Sequence, residues 1–204
     1  MILERVIVGP MAVNCYILAS SNTREAVIID PGSEESKIRN VLKSHNLTAK
    51  FIINTHGHYD HIGENDKFAV PVYVHKFDYP MLKDPMLNLS GLFSSPHKTK
   101  AKIELLDDGQ IISLDEIRMK VIHTPGHTKG GIILVMESPV ENIAFTGDTL
   151  FCEGVGRSDL PGGDEEELRR SIRDRIFKLP GQTRVYPGHG DFSTVADEEK
   201  NNLI

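Results

Sequence analysis

The stretch Thr55-His56-Gly57-His58-Tyr59-Asp60-His61 places three imidazoles and a carboxylate within the six positions from His56 to His61. It directly follows Phe51-Ile52-Ile53-Asn54, an apolar run rich in β-branched residues that reads as a buried strand. The cluster therefore stands where a strand ends and a loop begins, a mount whose backbone is over-determined by packing. His56 and His58, one residue apart in extended backbone, can turn the same way and grip one ion, because neutral imidazole is a good ligand for zinc, iron and related metals. Asp60 and His61 follow after a turn and aim differently, which suggests a second ion beside the first. A solvated, histidine-rich loop would account for one or two imidazoles, but not for His-x-His-x-Asp-His set directly behind a buried strand.

Two ions require more donors, and the chain has them downstream. His127 stands in Thr124-Pro125-Gly126-His127-Thr128, Asp148 in Phe145-Thr146-Gly147-Asp148-Thr149, and His189 in Tyr186-Pro187-Gly188-His189-Gly190. Each follows an apolar run, namely Met119 to Ile122, Ile143 to Phe145 and Val185 to Tyr186. Each is thus another strand-end loop, introduced by Gly or Pro-Gly chemistry that can hold an unusual backbone angle.

As a set these motifs resemble the metallo-β-lactamase superfamily, and more narrowly its hydroxyacylglutathione hydrolase (glyoxalase II)-like branch. The resemblance covers nearly the whole chain and takes in Phe-Thr-Gly-Asp-Thr-Leu-Phe at 145 to 151 and Gly-Arg-Ser-Asp-Leu-Pro-Gly-Gly-Asp at 156 to 164. It implies an α/β (α+β) fold, the four-layer αββα sandwich, with the site at one edge between the halves. It also implies that His56, His58 and His127 hold the first metal, Asp60, His61 and His189 the second, and Asp148 bridges them. The reaction implied is thioester hydrolysis by a metal-bridging hydroxide, with Asp60 orienting that hydroxide while it ligates. Two divalent ions are the expected cofactors. Zinc is placed first, with iron and manganese as alternatives, because nitrogen and oxygen donors suit all three.

Ligand identity narrows the branch. Position 58 is His rather than the Glu of the di-iron oxygen-reducing branch, and position 148 is Asp rather than the Cys typical of many true β-lactamases. A mononuclear-iron persulfide dioxygenase is the runner-up, since that branch carries a sequence like Gly156-Arg157-Ser158-Asp159. A non-catalytic metal-binding scaffold is a further alternative, opposed by the full set of seven ligands. Full glyoxalase II enzymes continue into a helical domain whose basic residues grip glutathione, whereas this sequence has 15 residues after His189. Glutathione recognition is therefore left open. Arg157 is the nearest candidate for a substrate carboxylate through a forked contact, against the plainer reading of a salt bridge to Asp159.

The 204 residues suit one hydrolase domain, 1–204. With 39% hydrophobic and 25% charged residues the composition is that of an ordinary soluble globular protein. A net charge of −6 without a basic stripe argues for a small-molecule thioester or ester and against nucleic acid. The first residues have no signal-peptide pattern and there is no membrane-spanning run, so the expected location is cytoplasmic. Cys15 and Cys152 form no pair; Cys15 is expected in the core and Cys152 near the site.

In chain order, Arg5 to Val8, Asn14 to Ala19 and Ala26 to Ile29 read as a strand meander, and Ser33 as the cap of a helix carrying Ile38, Val41 and Leu42. His45 falls on or beside that apolar face, so we read it as packed rather than ligating. Asp30 reads either as support for the ligand loop, as the resemblance implies, or as a plain turn residue. Ile62 to Phe68 reads as a short helix, Val72 to Val74 as a strand, and 75 to 102 as irregular connection with one or two short helices. His75, His97 and His123 are assigned to structure. Further strands are expected at 103–106, 110–113, 118–122, 132–136 and 143–145, with Asp107-Asp108-Gly109 as a hairpin turn between the first two. Asp164 with Glu167 reads as a capping pair for a helix ending before Pro180, and a closing helix is expected over 193–201.

Overall fold

The opening meander forms as the alternation of apolar residues requires. Strands β1 (Ile2–Val8), β2 (Val13–Ala19) and β3 (Glu25–Ile29) pair antiparallel, Ile2 opposite Ala19 and Tyr16 opposite Ile29. Every residue of β2 is buried, which a strand achieves only when both its faces are covered. Tyr16 and Leu18 enter a core between two sheets, while Cys15, Ile17 and Ala19 enter a second core beneath helix α1 (Glu35–Ser44). The computed structural model describes residues 1–202. Residues 203 and 204, the end of the expected 1–204 domain, lie outside the described residues.

After α1 the first sheet grows by parallel additions: β4 (Thr48–Ile53) beside β3, then, past the short helix α2 (Tyr59–Ile62), β5 (Val72–His75) beside β4. Helices α3 (Tyr79–Lys83) and α4 (Ser90–Phe93) fall in the irregular stretch before β6 (Ile103–Leu106) closes that edge, parallel to β5. The second sheet contains β7 (Ile111–Leu114), β8 (Ile117–His123), β9 (Ile132–Ser138) and β10 (Ile143–Gly147), antiparallel in sequence order. The small hairpin β11 (Leu150–Phe151) and β12 (Gly154–Val155) then leads to α5 (Glu165–Ser171). Strand β13 (Arg184–Pro187) pairs parallel to β10, β14 (Ser193–Thr194) pairs antiparallel to β13, and α6 (Val195–Asn201) ends the described chain. Ile112, Met119, Val121, Leu134 and Phe145 face the first sheet, and Ile133, Val185 and Leu168 form a third core under α5. Helix, sheet, sheet, helix is the expected four-layer order.

Four local expectations are corrected. Asp107-Asp108-Gly109 is not a hairpin turn, because β6 pairs only with β5 and β7 belongs to the other sheet. Gly109 N–H instead donates to Val121 O at 2.9 Å and Asp108 Oδ1 accepts from His123 N–H at 2.9 Å, so strand β8 holds the turn as the chain crosses between sheets. Ser33 does not cap α1. Glu34 occupies that position with φ of 53°, its carboxylate accepting from Gly9 N–H at 2.8 Å. The helix expected from Ile62 begins at Tyr59, so it carries Asp60 and His61; only a single tight turn, Asn65–Lys67, follows. The closing helix starts two residues late, at Val195, with Thr194 Oγ1 accepting from Asp197 N–H at 3.2 Å. The Asp164 cap is present, its carboxylate accepting from Glu167 N–H at 2.9 Å, and the helix runs on through a wider turn, Ile172–Ile176.

Cys15 lies in the core as expected. Cys152 is exposed on the β11 to β12 turn, next to Phe151 but not itself in the cavity wall that Phe151 joins. Among the described residues, no helix is long and apolar enough to cross a membrane. His45 is half-buried at the end of α1, its Nε2 3.2 Å from Glu4, and takes no part in the histidine clusters described below.

His75 and His123, from the ends of β5 and β8, stack with ring centroids 4.1 Å apart and planes 17° apart. Burial and the neighbouring His123 push the pKa of His75 down to about 4. The folded state therefore resists a proton that the unfolded chain accepts near its ordinary value of about 6.5. His75 accordingly lends stability above pH ~6.5 that is lost as the pH falls to ~4 and changes no further below it. In denaturant titrations, the stability difference between the wild type and His75→Phe should shift in favour of the variant between pH 7 and pH 4.5. Parallel pH profiles would contradict this assignment.

Candidate metal centre

The ends of β4 in the first sheet and of β8, β10 and β13 in the second bring their loops of polar residues together at one edge of the sandwich. Strand β4 ends at Ile53, after which Thr55 to His58 form the first loop and α2 presents Asp60 and His61. His127 follows β8, Asp148 follows β10 and His189 follows β13. All seven expected residues meet. Three overlapping groups have donor atoms within 4.8 Å of one another: His56, His58 and His127; His56, His61 and Asp148; and Asp60, His61 and His189.

Acceptors behind the rings decide which nitrogen faces inward. His127 Nδ1–H donates to Arg157 O at 2.7 Å, His189 Nδ1–H to Met11 O at 2.9 Å, and His61 Nδ1–H to Asp30 Oδ2 at 3.0 Å. Carbonyls and carboxylates can only accept, so the neutral form of each ring carries its lone pair on Nε2. Thr55 Oγ1–H donates to Asp30 Oδ2 at 2.6 Å, leaving Thr55 Oγ1 itself to accept from His56 Nδ1–H, 3.2 Å away. The inward nitrogens crowd: His56 Nε2 and His127 Nε2 are 3.3 Å apart, as are His61 Nε2 and His189 Nε2, and His58 Nδ1 lies 2.9 Å from His127 Nε2. Asp148 stands between the groups, Oδ1 3.4 Å from His61 Nε2 and Oδ2 3.4 Å from His189 Nε2 and 3.7 Å from His127 Nε2.

Three observations fit this donor set to cations. Lone pairs converge at distances that leave too few protons to share among them. Asp148 Oδ1 and His58 Nε2 are buried without a hydrogen-bond partner, a costly state for a polar atom. The electrostatics agree. Burial and the nearby His61 hold His56 well below the usual imidazole range, and burial with His127 takes His58 down to about 3, so both are neutral donors. Burial opposes charge on His61 and His189 as well, but there the carboxylates win: Asp148, Asp60 and Asp30 hold His61 well above its ordinary value, and Asp148 and Asp60 raise His189 to about 9. Burial likewise opposes charge on Asp148, yet His61 and His189 keep it well below the carboxylate range. This edge is organised around positive charge in a dry setting.

The backbone there tolerates no added bulk. A Cβ on Gly188 would lie 2.2 Å from Asp148 Oδ1 and 2.9 Å from His61 Cε1. Gly147, at φ of 48°, passes so close to Thr55 that a Cβ would lie 2.4 Å from its hydroxyl.

Two buried carboxylates support the ligand loops. Asp30 takes the supporting role over the turn reading: its Oδ1 accepts from Thr55 N–H at 2.8 Å while Oδ2 serves Thr55 and His61. Asp78, which sequence reasoning missed, accepts from Gly57 N–H at 2.9 Å, Thr128 Oγ1–H at 2.7 Å and Gly130 N–H at 2.6 Å, tying the His56 to His58 loop to the His127 loop. It lies in the irregular 75 to 102 stretch, and no periodicity or motif marks it.

Next to the donors opens a cavity of about 480 Å³, walled by His58, Asp60, His127, Asp148 and His189 on one side. Arg157 also reaches this wall. Its guanidinium is engaged by Asp159 through Nε to Oδ1 and Nη2 to Oδ2, both at 2.8 Å, so the salt bridge read from the sequence is present.

Removing the Asp30 carboxylate in Asp30→Ala should weaken metal affinity by roughly 10- to 100-fold, the usual cost of losing an outer partner of a ligating histidine. Competition with a chromophoric chelator measures this, and unchanged affinity would contradict the support role. Asp78→Ala leaves three buried donors unpaired and should cost ~3 kcal/mol or more of stability in denaturant titration.

Comparisons with known proteins place this geometry. A family model described as "Metallo-beta-lactamase superfamily" matches residues 8–189. The chain is 35% identical to the "Probable metallo-hydrolase YqgX" of Bacillus subtilis (strain 168), over 98% of this chain and 95% of that protein. It is 31% identical to the "Hydroxyacylglutathione hydrolase GloC" of Haemophilus influenzae, over 93% and 91%. Among solved structures it is similar to the BLEG-1 B3 metallo-beta-lactamase, at TM-score 0.92 and 36% identity over 99% of this chain and 98% of that one. It is also similar to TTHA1623 in a di-iron-bound form, at TM-score 0.82 and 32% identity over 98% of both chains. With the match spanning most of its length and the fold shared throughout, the chain belongs to the metallo-beta-lactamase superfamily.

Proposed function

We propose that this protein is a metal-dependent hydrolase of small-molecule thioesters or esters, a thioesterase of the hydroxyacylglutathione hydrolase type. The observation that carries the reading is the pair of donor triads with Asp148 standing between them at the wall of a cavity of substrate size. His56, His58 and His127 would hold one ion, Asp60, His61 and His189 the other, with Asp148 between. Bound there, two divalent cations lower the pKa of a shared water to near neutrality and polarise a carbonyl. Zinc is the first choice, and the likeness to TTHA1623, described in a di-iron-bound form, keeps iron as the alternative, since nitrogen and oxygen donors suit both.

The chain's own groups do the rest. Asp60 is half-buried and faces the cavity, its Oδ2 3.5 Å from His189 Nε2 and 3.7 Å from His61 Nε2. While ligating, it would orient the attacking water toward the substrate carbonyl. The His127 loop and the 157 to 159 loop are tied by the Arg157 carbonyl, so a substrate touching Arg157 would be placed relative to a ligand ring. Asp159 already fills the Nε–Nη2 edge of the guanidinium, so a substrate carboxylate would have to displace it or take the Nη1 side.

Two other chemistries belong in the same assay. A persulfide dioxygenase would use one iron, and the completeness of the second donor group, with His61 and His189 facing each other, favours two ions over one. The likeness to BLEG-1 brings β-lactam hydrolysis into consideration. Metal-loaded protein should hydrolyse thioesters, lose that activity to chelators, and regain it with metal. Asp60→Asn should lower kcat by roughly 10²- to 10⁴-fold. Oxygen uptake on glutathione persulfide with no thioester cleavage would overturn the hydrolase reading, and turnover of a chromogenic β-lactam alone would redirect it.

A further inference from the structure

Beside the histidines and carboxylates, the rest of the cavity wall is largely apolar. Met11, Leu89, Phe93, Phe151, Val155 and Leu160 form it. Three of these sit at the mouth with large exposed surfaces: Phe93 at 66%, Met11 at 53% and Val155 at 38% of their full accessibility. Met11, Phe93 and Val155 come from three separate parts of the chain, the β1 to β2 turn, α4 and β12, so the patch is assembled by the fold rather than by one greasy loop. Contiguous apolar surface of this kind on a binding cleft marks what the ligand brings to it.

Charge gives the same answer by omission. Among the lining residues Arg157 is the one Lys or Arg, and the Nε–Nη2 edge of its guanidinium is already taken by Asp159. A neighbouring groove of about 320 Å³ shares Met11, Tyr59, Asp60 and Phe93 with the cavity, continues past serines 33, 90, 94 and 95, and has Glu64 but no Lys or Arg in its wall. A glutathione conjugate, a tripeptide thioester with carboxylates at both ends, would meet aliphatic and aromatic carbon on one side and carboxylate on the other. Burying such a charge without a partner is strongly disfavoured.

Resting on the hydrolase reading above, we infer that the substrate is a thioester of an uncharged thiol carrying an apolar acyl chain, with Met11, Phe93 and Val155 as its specificity determinants. In the reaction the acyl carbon–sulfur bond breaks and a carbon–oxygen bond to water forms. The products are a carboxylate, a thiol and a proton, with no change of oxidation state. The chain lies along the apolar wall while its carbonyl faces the donor groups, and each methylene buried there adds to binding.

The test uses N-acetylcysteamine thioesters from acetyl to octanoyl, with S-lactoylglutathione beside them, on the metal-loaded enzyme. Binding of the matching non-hydrolysable amides is measured by calorimetry in parallel. Both kcat/KM and amide affinity should rise about fourfold per methylene until the cavity is full, and Phe93→Ser and Val155→Asp should flatten that slope. Amide affinity that ignores chain length, or lactoylglutathione outrunning the octanoyl thioester, overturns the inference while leaving the hydrolase reading intact. Affinity that climbs with chain length while no thioester is cleaved upholds the apolar specificity and defeats the hydrolase reading instead.

Discussion

The structure depends on one constraint: imidazole rings at the sheet edge are tied from behind, so their remaining nitrogens have nowhere to turn but toward one another. Arg157 O, Met11 O and the Asp30 carboxylate accept from the Nδ1 atoms of His127, His189 and His61. Each of these acceptors belongs to a different part of the chain, and so the donor set is only as good as the whole sandwich that positions it. Tyr16 shows how far this reaches. It packs in the core between the sheets, and its hydroxyl donates to Pro187 O at 2.7 Å, two residues before His189. Asn14 Nδ2 donates to the same carbonyl at 3.0 Å and to Gly190 O at 2.9 Å, so strand β2 clamps both sides of the last ligand.

That coupling of core to site explains the placement of glycine and buried carboxylate. Gly188 and Gly147 let two loops approach the Asp148 side chain and Thr55 more closely than any side chain would permit. Asp30 and Asp78 satisfy backbone donors of ligand loops that regular pairing cannot reach. Removing an acceptor from such a buried network costs more than the hydrogen bond itself is worth, because donors are left stranded. The electrostatic pattern follows from the same arrangement: His56 and His58 are neutral because they are buried among other rings, and His61 and His189 are driven the other way by carboxylates.

Much of this was legible in the sequence because the ligands fall at strand ends, where hydrophobic runs stop and Gly or Pro-Gly begins. The seven donors and the strand that mounts each of them were readable from local pattern, and the layer order came with the family resemblance. What was not legible involves partners distant in sequence. Asp78 has no local signature, since its partners Gly57, Thr128 and Gly130 are brought to it only by the fold. Asp107-Asp108-Gly109 carries a hairpin's turn chemistry, but strand partners are chosen by buried faces, and β6 finds its partner in β5 rather than in the strand that follows. Ser33 was a plausible cap displaced by Glu34, whose carboxylate finds Gly9 across the groove. The apolar part of the cavity wall was likewise invisible, because Met11, Phe93 and Val155 lie far apart in the chain.

Two donor triads meet with Asp148 between them, a geometry suited to two cations. Elemental analysis of the purified protein after saturation and removal of excess metal tests it most directly, read beside a His61→Ala, His189→Ala double variant. Two divalent ions per chain in the wild type, falling to one in the variant, is the result expected from this geometry. One ion per chain in the wild type, unchanged by the double substitution, would contradict it.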